Sequence, residues 1–285
     1  MRFPWQKKIP ASNAAQAEPA IEKISFNVFS FSETGPVRTS NEDRIVYFSP
    51  DLNRELFFAM VADGMGGHNA GEVASSIACR EAEEYIQQEC QHTDISVMLN
   101  GLMQTMHHSI VYTSKNNEAY KGMGTTATAL FCKDRYAWLA HVGDSRLYYY
   151  NGSILTQCTT DHTLVNQMVR EGKLSSREAV HHDMKNILMQ ALGTVEKIAP
   201  QVSEVGLIQR GEYYFLCSDG IYDVFNDGEL CSIFSMRDAA LSMECIKALC
   251  YERKAKDNIS AMLIEIVAKK VHTINAVTRE QNTML

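Results

Sequence analysis

A layered α+β domain built on antiparallel sheets is what the sequence predicts. Strand-like runs follow one another in hairpin-like succession and the helical stretches come in pairs, whereas a βαβ repeat would alternate the two. With 285 residues, 45% of them hydrophobic and 21% charged, the chain is long and apolar enough to bury the core such a domain needs.

Residues 1–22, rich in Ala, Pro, Gln and Glu with little apolar periodicity, read as a flexible leader. Folding is expected to begin near Ile24, where Ile24-Ser25-Phe26-Asn27-Val28 alternates as a half-buried strand does. Residues 55–62 form a continuous apolar run of buried-strand type that delivers Asp63 at its end. Asn69 and Glu72 have capping-box spacing and open a small-residue helix through Ala74, Ile77, Ala78, Ala82 and Tyr85. Leu99, Leu102, Met103, Met106 and Ile110 share one face of a second helix.

Further strands are expected over 125–132, 135–142, 147–150, 213–218 and 259–267, with turns at Lys133-Asp134 and Asn151-Gly152. Polar, helical-looking sequence near 162–190 interrupts this series as a surface flap, and Ser175 and Glu178 are spaced to cap one of its turns. From about Lys270 the tail carries no packing signal. One catalytic-size domain over 23–269 is the simplest organisation.

A formal net charge of −7 argues against a nucleic-acid or anionic-membrane surface, which needs clustered Lys and Arg. The eight cysteines lie scattered without a Cys-x-x-Cys pair, several inside apolar runs, as buried thiols in a reducing compartment do. The start has no apolar stretch long enough for a signal peptide, and nowhere do about 18 apolar residues run together. A cytoplasmic protein without membrane insertion is expected.

Four acidic islands stand beside a glycine or at the end of an apolar run: Asn41-Glu42-Asp43, Asp63-Gly64-Met65-Gly66-Gly67, Ser218-Asp219-Gly220 and Lys256-Asp257-Asn258. Hard divalent cations take carboxylate, carbonyl and water oxygens, and a lone carboxylate holds them weakly, so such a site gathers several from distant parts of the chain. Arg38, just upstream, offers a planar fork that grips two phosphoryl oxygens as lysine cannot. Two ions roughly 3.5–4 Å apart lower the pKa of a bridging water and offset phosphoryl charge during in-line attack, so the set suggests phosphate-ester hydrolysis.

Plainer readings exist for each part. Either Asp-Gly pair alone is an ordinary turn. The glycines of 64–71 lack the Gly-Lys-Ser/Thr of a phosphate-binding P-loop. The pairs His107-His108 and His181-His182 are adjacent on a helix, point in different directions and suit solvated or half-buried positions.

Gly35-Pro36-Val37-Arg38-Thr39-Ser40-Asn41-Glu42-Asp43, Val61-Ala62-Asp63-Gly64-Met65-Gly66-Gly67-His68, Gly122-Met123-Gly124-Thr125-Thr126, Val142-Gly143-Asp144-Ser145-Arg146, Ser218-Asp219-Gly220 and Asp257-Asn258 carry a family likeness. In order and approximate spacing they resemble the signature blocks of the type 2C metal-dependent protein serine/threonine phosphatases, bacterial branch. The resemblance implies a β-sandwich of two antiparallel sheets flanked by paired helices, four layers in αββα order, with two Mn²⁺ or Mg²⁺ ions at one end.

It further implies that Asp63 bridges both ions, that the Gly64 carbonyl binds one, and that Asp219 and Asp257 complete the shell of the other. Glu42 and Asp43 would hold metal-bound waters or bind directly. Asp144 matches a position that, with Asp219, takes a third and weaker ion in bacterial relatives, with a hairpin-capping role as its alternative. His162, in an Asp-His block at the start of the flap, is a proton donor to the leaving oxygen or a local cap. Met65 stands where eukaryotic members carry a histidine, which leaves metal-bound water as a candidate acid. Lys185 and Gln190 stand where relatives usually have arginines.

The function so implied is dephosphorylation of phosphoserine and phosphothreonine by a metal-bridging hydroxide. The expected partners are phosphorylated proteins, with a cognate kinase or its targets among them, and the expected state is a monomer. A pseudophosphatase that only binds a partner is the alternative, and it predicts lost carboxylates, yet Asp63, Asp219 and Asp257 are all present. A narrower version restricts the substrate to a small regulatory protein, as in stress-response or secretion-system control; no extra sensor module supports it.

Overall fold

Apolar strand runs and amphipathic helices assemble in the computed structural model of this chain, which describes residues 24–51, 56–66, 70–179 and 182–268. Chain order begins with β1 (Ile24–Glu33), β2 (Arg44–Phe48), β3 (Phe57–Ala62), β4 (Gly64–Met65), α1 (Ala70–Glu89), α2 (Ile95–Asn116), β5 (Gly124–Thr125), β6 (Ala127–Lys133) and β7 (Tyr136–Val142). It continues through β8 (Arg146–Tyr150), β9 (Leu155–Gln157), α3 (Leu164–Arg170), α4 (Ser176–Ala179), β10 (Gln201–Leu207), β11 (Tyr213–Cys217), α5 (Asp219–Tyr222), α6 (Asp227–Phe234), α7 (Ala239–Glu252) and β12 (Ile259–Ala268).

Two five-stranded antiparallel sheets result, one ordered β1-β12-β11-β8-β9 and the other β10-β7-β6-β3-β2. Their inner faces meet through Phe57, Ala59, Val61 and Leu130 on one side and Leu147, Tyr214, Leu216 and Met262 on the other. The outer face of the second sheet, with Phe58, Met60 and Phe131, packs on Ala74, Ala78, Leu99, Leu102 and Met106 of α1 and α2. The outer face of the first, with Tyr148, Phe215 and Leu263, packs on Phe234, Ile246 and Cys250 of α6 and α7. Helix, sheet, sheet and helix therefore stack as four layers, the architecture that the resemblance implies. With both faces of its sheet covered, β3 buries all six residues, which is why its sequence is a continuous apolar run rather than an alternating one.

Local chemistry sets the boundaries. The hairpin between β6 and β7 turns on Asp134 and Arg135, at φ 51° and 66°, one residue beyond the expected turn; two left-handed residues in succession suit the twist of an antiparallel pair. Asn151 Oδ1 accepts from the Ser153 and Ile154 amides at 3.0 and 2.9 Å and closes the next hairpin. Asp94 caps α2 by accepting from the Val97 amide at 3.0 Å. Ser175 and Glu178 form the expected reciprocal cap, at 2.9 and 3.3 Å.

Differences from the sequence reading cluster at sheet edges. The sequence does not predict β2, β9 or β10: each lies at the edge of a sheet, and β10 carries Gln, Ser, Glu and Gly with a register shift between Glu204 and Gly206. The pair at 107–108 splits, with His107 buried and accepting from the Gly193 amide at 3.1 Å while His108 is exposed. Hence His107 is more buried than expected. All eight cysteines are free thiols. The leader, the Asn69 cap, His181 and the tail from Lys270 lie outside the described residues.

Candidate metal centre

Strand register brings the acidic islands together. Arg44 pairs with Ala62, so Asp43 just before β2 lies beside Asp63 just after β3. Cys217 pairs with Ala261, so Asp219 after β11 and Asp257 before β12 leave the other sheet at the same end of the sandwich. The Ser218 hydroxyl joins the two sheets there, donating to Asp43 Oδ2 at 2.8 Å while accepting from the Ser260 amide at 3.2 Å.

Backbone hydrogen bonds hold Asp63 rigidly. Its amide donates to Thr126 Oγ1 at 3.0 Å, and its carbonyl accepts from the Thr126 amide and the Thr125 hydroxyl, each at 2.9 Å. Asn258 fixes the Glu42 loop: its side-chain amide donates to the Ser40 and Thr34 carbonyls at 2.7 and 3.0 Å, and its oxygen accepts from the Glu42 amide at 3.0 Å. Asn258 and Thr126 fall inside the family-like motifs, yet sequence reasoning gives them no task. Their work is done on backbone groups distant in sequence, for which no local pattern exists.

The glycines of the two Asp-Gly pairs allow close packing of the chain. Gly64 has no left-handed backbone; a side chain there would collide with the Gly71 and Glu42 carbonyl oxygens. A side chain at Gly220 would likewise collide with the Asn258 carbonyl oxygen. Close approach of three chain segments is what demands glycine at both positions.

Electrostatics mark the cluster out. Burial pushes the Asp63 carboxyl well above the ordinary range, and the charges of Asp43, Asp219, Asp144 and Asp257 add to the effect in that order. Asp219 is raised in the same way, by burial and then by Asp144, Asp257 and Asp43. Burial lifts Asp43 to about 6 against the hydrogen bonds of Ser260 and Ser218. Burial, helped by Asp161, lifts Asp144 to about 6. Glu42 is raised by burial, with Arg38 opposing. These carboxylates share one region, and the cations that reach it oppose the strain only in part: Arg38 beside Glu42 and Asp257, and Arg146 beside Asp144.

Arg38 reaches this region, but its fork is engaged: it donates to Asp257 Oδ2 at 2.6 Å and, through Nε, to the Lys256 carbonyl at 3.3 Å. The pair is solvent-exposed, and such pairs contribute at most about 1 kcal/mol, so a phosphoryl group can displace it.

His162 is occupied structurally. Its amide donates to the Gly143 carbonyl at 2.8 Å, its Nδ1 accepts from the Gly143 amide at 3.1 Å, and its ring stacks on His141 at 4.8 Å. Burial lowers its pKa, which favours the neutral ring, and these contacts anchor the start of the flap. The cap of α3 is Thr163, accepting from the Asn166 amide at 3.3 Å. Beside Asp144, Arg146 clamps Asp161, with Nη2 donating to Oδ2 at 2.7 Å, and lies over the Tyr222 ring at 3.7 Å. Sequence reasoning misses this pair too.

Among the described residues, no three acidic, histidine or cysteine side chains form a cage for a single ion. Hard cations keep several waters and take only one or two carboxylates each. All-oxygen donors whose mutual repulsion raises their pKa values fit a pair of such ions. In chelator, the folded protein keeps protons on Asp43 and Asp144 between pH about 4 and 6 that the unfolded chain has released, so these groups make stability fall as pH rises through that window. Thermal unfolding in EDTA is expected at lower temperature at pH 7.5 than at pH 5, with Mn²⁺ narrowing the gap; a higher Tm at pH 7.5 in EDTA would contradict the charge strain.

No helix among the described residues is long and apolar enough to cross a membrane. The family model described as "Protein phosphatase 2C" matches residues 37–262. The serine/threonine phosphatase stp of Listeria monocytogenes serotype 4b is 33% identical over 238 residues, covering 82% of this chain and 93% of its own. The protein phosphatase PhpP of Streptococcus pneumoniae is 31% identical, covering 82% of this chain and 95% of its own. The Mycobacterium tuberculosis serine/threonine phosphatase PstP/Ppp superposes with a TM-score of 0.77 at 28% identity, over 86% of this chain and 99% of its own. A PstP catalytic domain in complex with two manganese ions superposes with a TM-score of 0.74 at 28% identity, over 86% of this chain and 99% of that one. Acidic cluster, four-layer fold and sequence match agree: the chain belongs to the protein phosphatase 2C family.

Proposed function

We propose that the chain is a metal-dependent protein phosphatase that hydrolyses phosphoserine and phosphothreonine, and that its work is done by the acidic cluster at one end of the sandwich. The gathering of Asp43, Asp63, Asp144, Asp219 and Asp257 carries this reading. Two Mn²⁺ or Mg²⁺ ions bound there would activate a water and neutralise phosphoryl charge. Asp63, the Gly64 carbonyl, Asp219 and Asp257 would hold these two ions, Glu42 and Asp43 would orient water, and Asp144 with Asp219 would offer donors for a weaker third ion. Arg38, released from Asp257, aligns the ester.

A cleft of about 440 Å³ opens beside Asp219 and Asp257, and among the described residues no aromatic side chain lines it. A phosphotyrosine ring would find no slot, whereas the short phosphoserine and phosphothreonine side chains bring the protein backbone close to the rim. Lys185 of the flap pairs with Asp223 at 2.7 Å and separates this cleft from one of about 720 Å³ that Arg146, Asp161 and Tyr222 help to line. The catalytic unit is taken as 23–269, with the flap over 162–190, acting as a cytoplasmic monomer on the targets of a kinase.

Hydrolysis of p-nitrophenyl phosphate and of a phosphothreonine peptide is expected with Mn²⁺ or Mg²⁺ and lost in EDTA. Activity that survives chelation would overturn the mechanism; inactivity with every metal would leave a partner-binding module instead.

A further inference from the structure

The 440 Å³ cleft lined by Asp219, Asp223 and Asp257 also carries four cations. Although the net charge is −7, Lys185, Arg253, Lys254 and Lys256 line it. Two of these cations are engaged: Lys185 pairs with Asp223 at 2.7 Å, and Arg253 donates to Glu229 at 2.8 Å. Lys254 and Lys256 have no acidic partner among the described residues.

The backbone of Lys254 gives a second, independent sign. Helix α7 ends in a pair of reversed hydrogen bonds, from the Ala255 amide to the Cys250 carbonyl at 2.9 Å and from the Lys254 amide to the Tyr251 carbonyl at 3.2 Å. That motif places its next-to-last residue in the left-handed region, where glycine is favoured because it has no side chain to clash. Lys254 occupies it at φ 56°. A long cationic side chain is thus held where the fold alone prefers none, and it borders the cleft. Lys256 stands immediately before Asp257, and its carbonyl receives Arg38 Nε at 3.3 Å. The two lysines therefore flank the place where the phosphoryl group is gripped.

We infer that Lys254 and Lys256 form a subsite selecting phosphorylated segments that carry a second anionic group, a carboxylate or another phosphate, close to the residue being dephosphorylated. The inference rests on the phosphatase reading and narrows its substrate class. An extended peptide advances roughly 3.3 Å per residue, so the second group lies one to three positions from the phosphorylated residue. Neutral segments would leave both ammonium groups in water and gain nothing from them.

The test measures kcat/KM with Mn²⁺ on three phosphothreonine peptides of equal length: one with neutral flanks, one with aspartate flanks, and one flanked by a non-hydrolysable phosphonate. Partly exposed ion pairs predict that the anionic peptides are preferred by roughly three- to tenfold at low salt. High salt should erase most of that preference. In Lys254→Gln/Lys256→Gln the ratio should approach one, and the ratio within one variant cancels any change in general activity. Lys254→Gly supplies the residue this backbone favours, so its lowered ratio separates loss of charge from misfolding and carries the comparison if the double variant does not fold. A gain for only one anionic peptide supports the subsite and identifies its source. Equal kcat/KM for all three peptides, or a ratio unchanged in the variants, overturns it. Failure of p-nitrophenyl phosphate hydrolysis by the wild type would instead strike the phosphatase reading.

Discussion

Asp219→Asn is expected to lower Mn²⁺-dependent hydrolysis of p-nitrophenyl phosphate by about 10³-fold, ~4 kcal/mol of lost transition-state stabilisation. The substitution keeps size and removes charge. Asp219 opens α5 just after β11, its pKa raised by burial and by Asp144, Asp257 and Asp43, so in the metal-free protein its charge is a burden rather than a support. Asparagine removes that repulsion, and the variant should unfold in EDTA at a temperature no lower than the wild type. Activity and stability therefore move in opposite directions, which ordinary misfolding cannot produce. Steady-state kinetics and thermal unfolding in EDTA check the two halves; a loss under tenfold would remove Asp219 from the ligand set.

Phe215→Ala should destabilise the fold by about 3–5 kcal/mol, the range for deleting a buried aromatic ring. Phe215 is fully buried, and its ring lies 5.1 Å from that of Phe234 and 6.3 Å from that of Tyr148. It joins β11 to α6, so a cavity there loosens the strand that aims Asp219. At about 2–4 °C per kcal/mol for a domain of this size, the midpoint should fall by roughly 6–20 °C in thermal unfolding. A fall below about 3 °C would show that the helical layer over this sheet contributes little.

Legibility in the sequence follows burial. The run that becomes β3 is plain because both faces of its sheet are covered, and the aspartate at its end stands out from the amino-acid order alone. Edge strands such as β2 and β10 are invisible there, since their partly exposed residues follow no clean pattern. The four islands are readable as acidic, and the family blocks order them, but their meeting depends on pairings such as Arg44 with Ala62 and Cys217 with Ala261. No window of sequence contains both members of such a pair. Asn258 and Ser218 escape for a related reason: an amide or hydroxyl that holds a remote backbone looks like any other polar residue. The need for glycine at 64 is hidden too, because crowding by Gly71 and Glu42 is a property of the folded neighbourhood.

The Ser218 hydroxyl on Asp43 ties one half of the sandwich to the other at the acidic end. Cations held between those halves would act as rivets across a seam, so that loading the centre and keeping the two halves in alignment become a single linked equilibrium. Wear at that seam, by shear or by dilution of the ions, would dull catalysis well before the chain unravels.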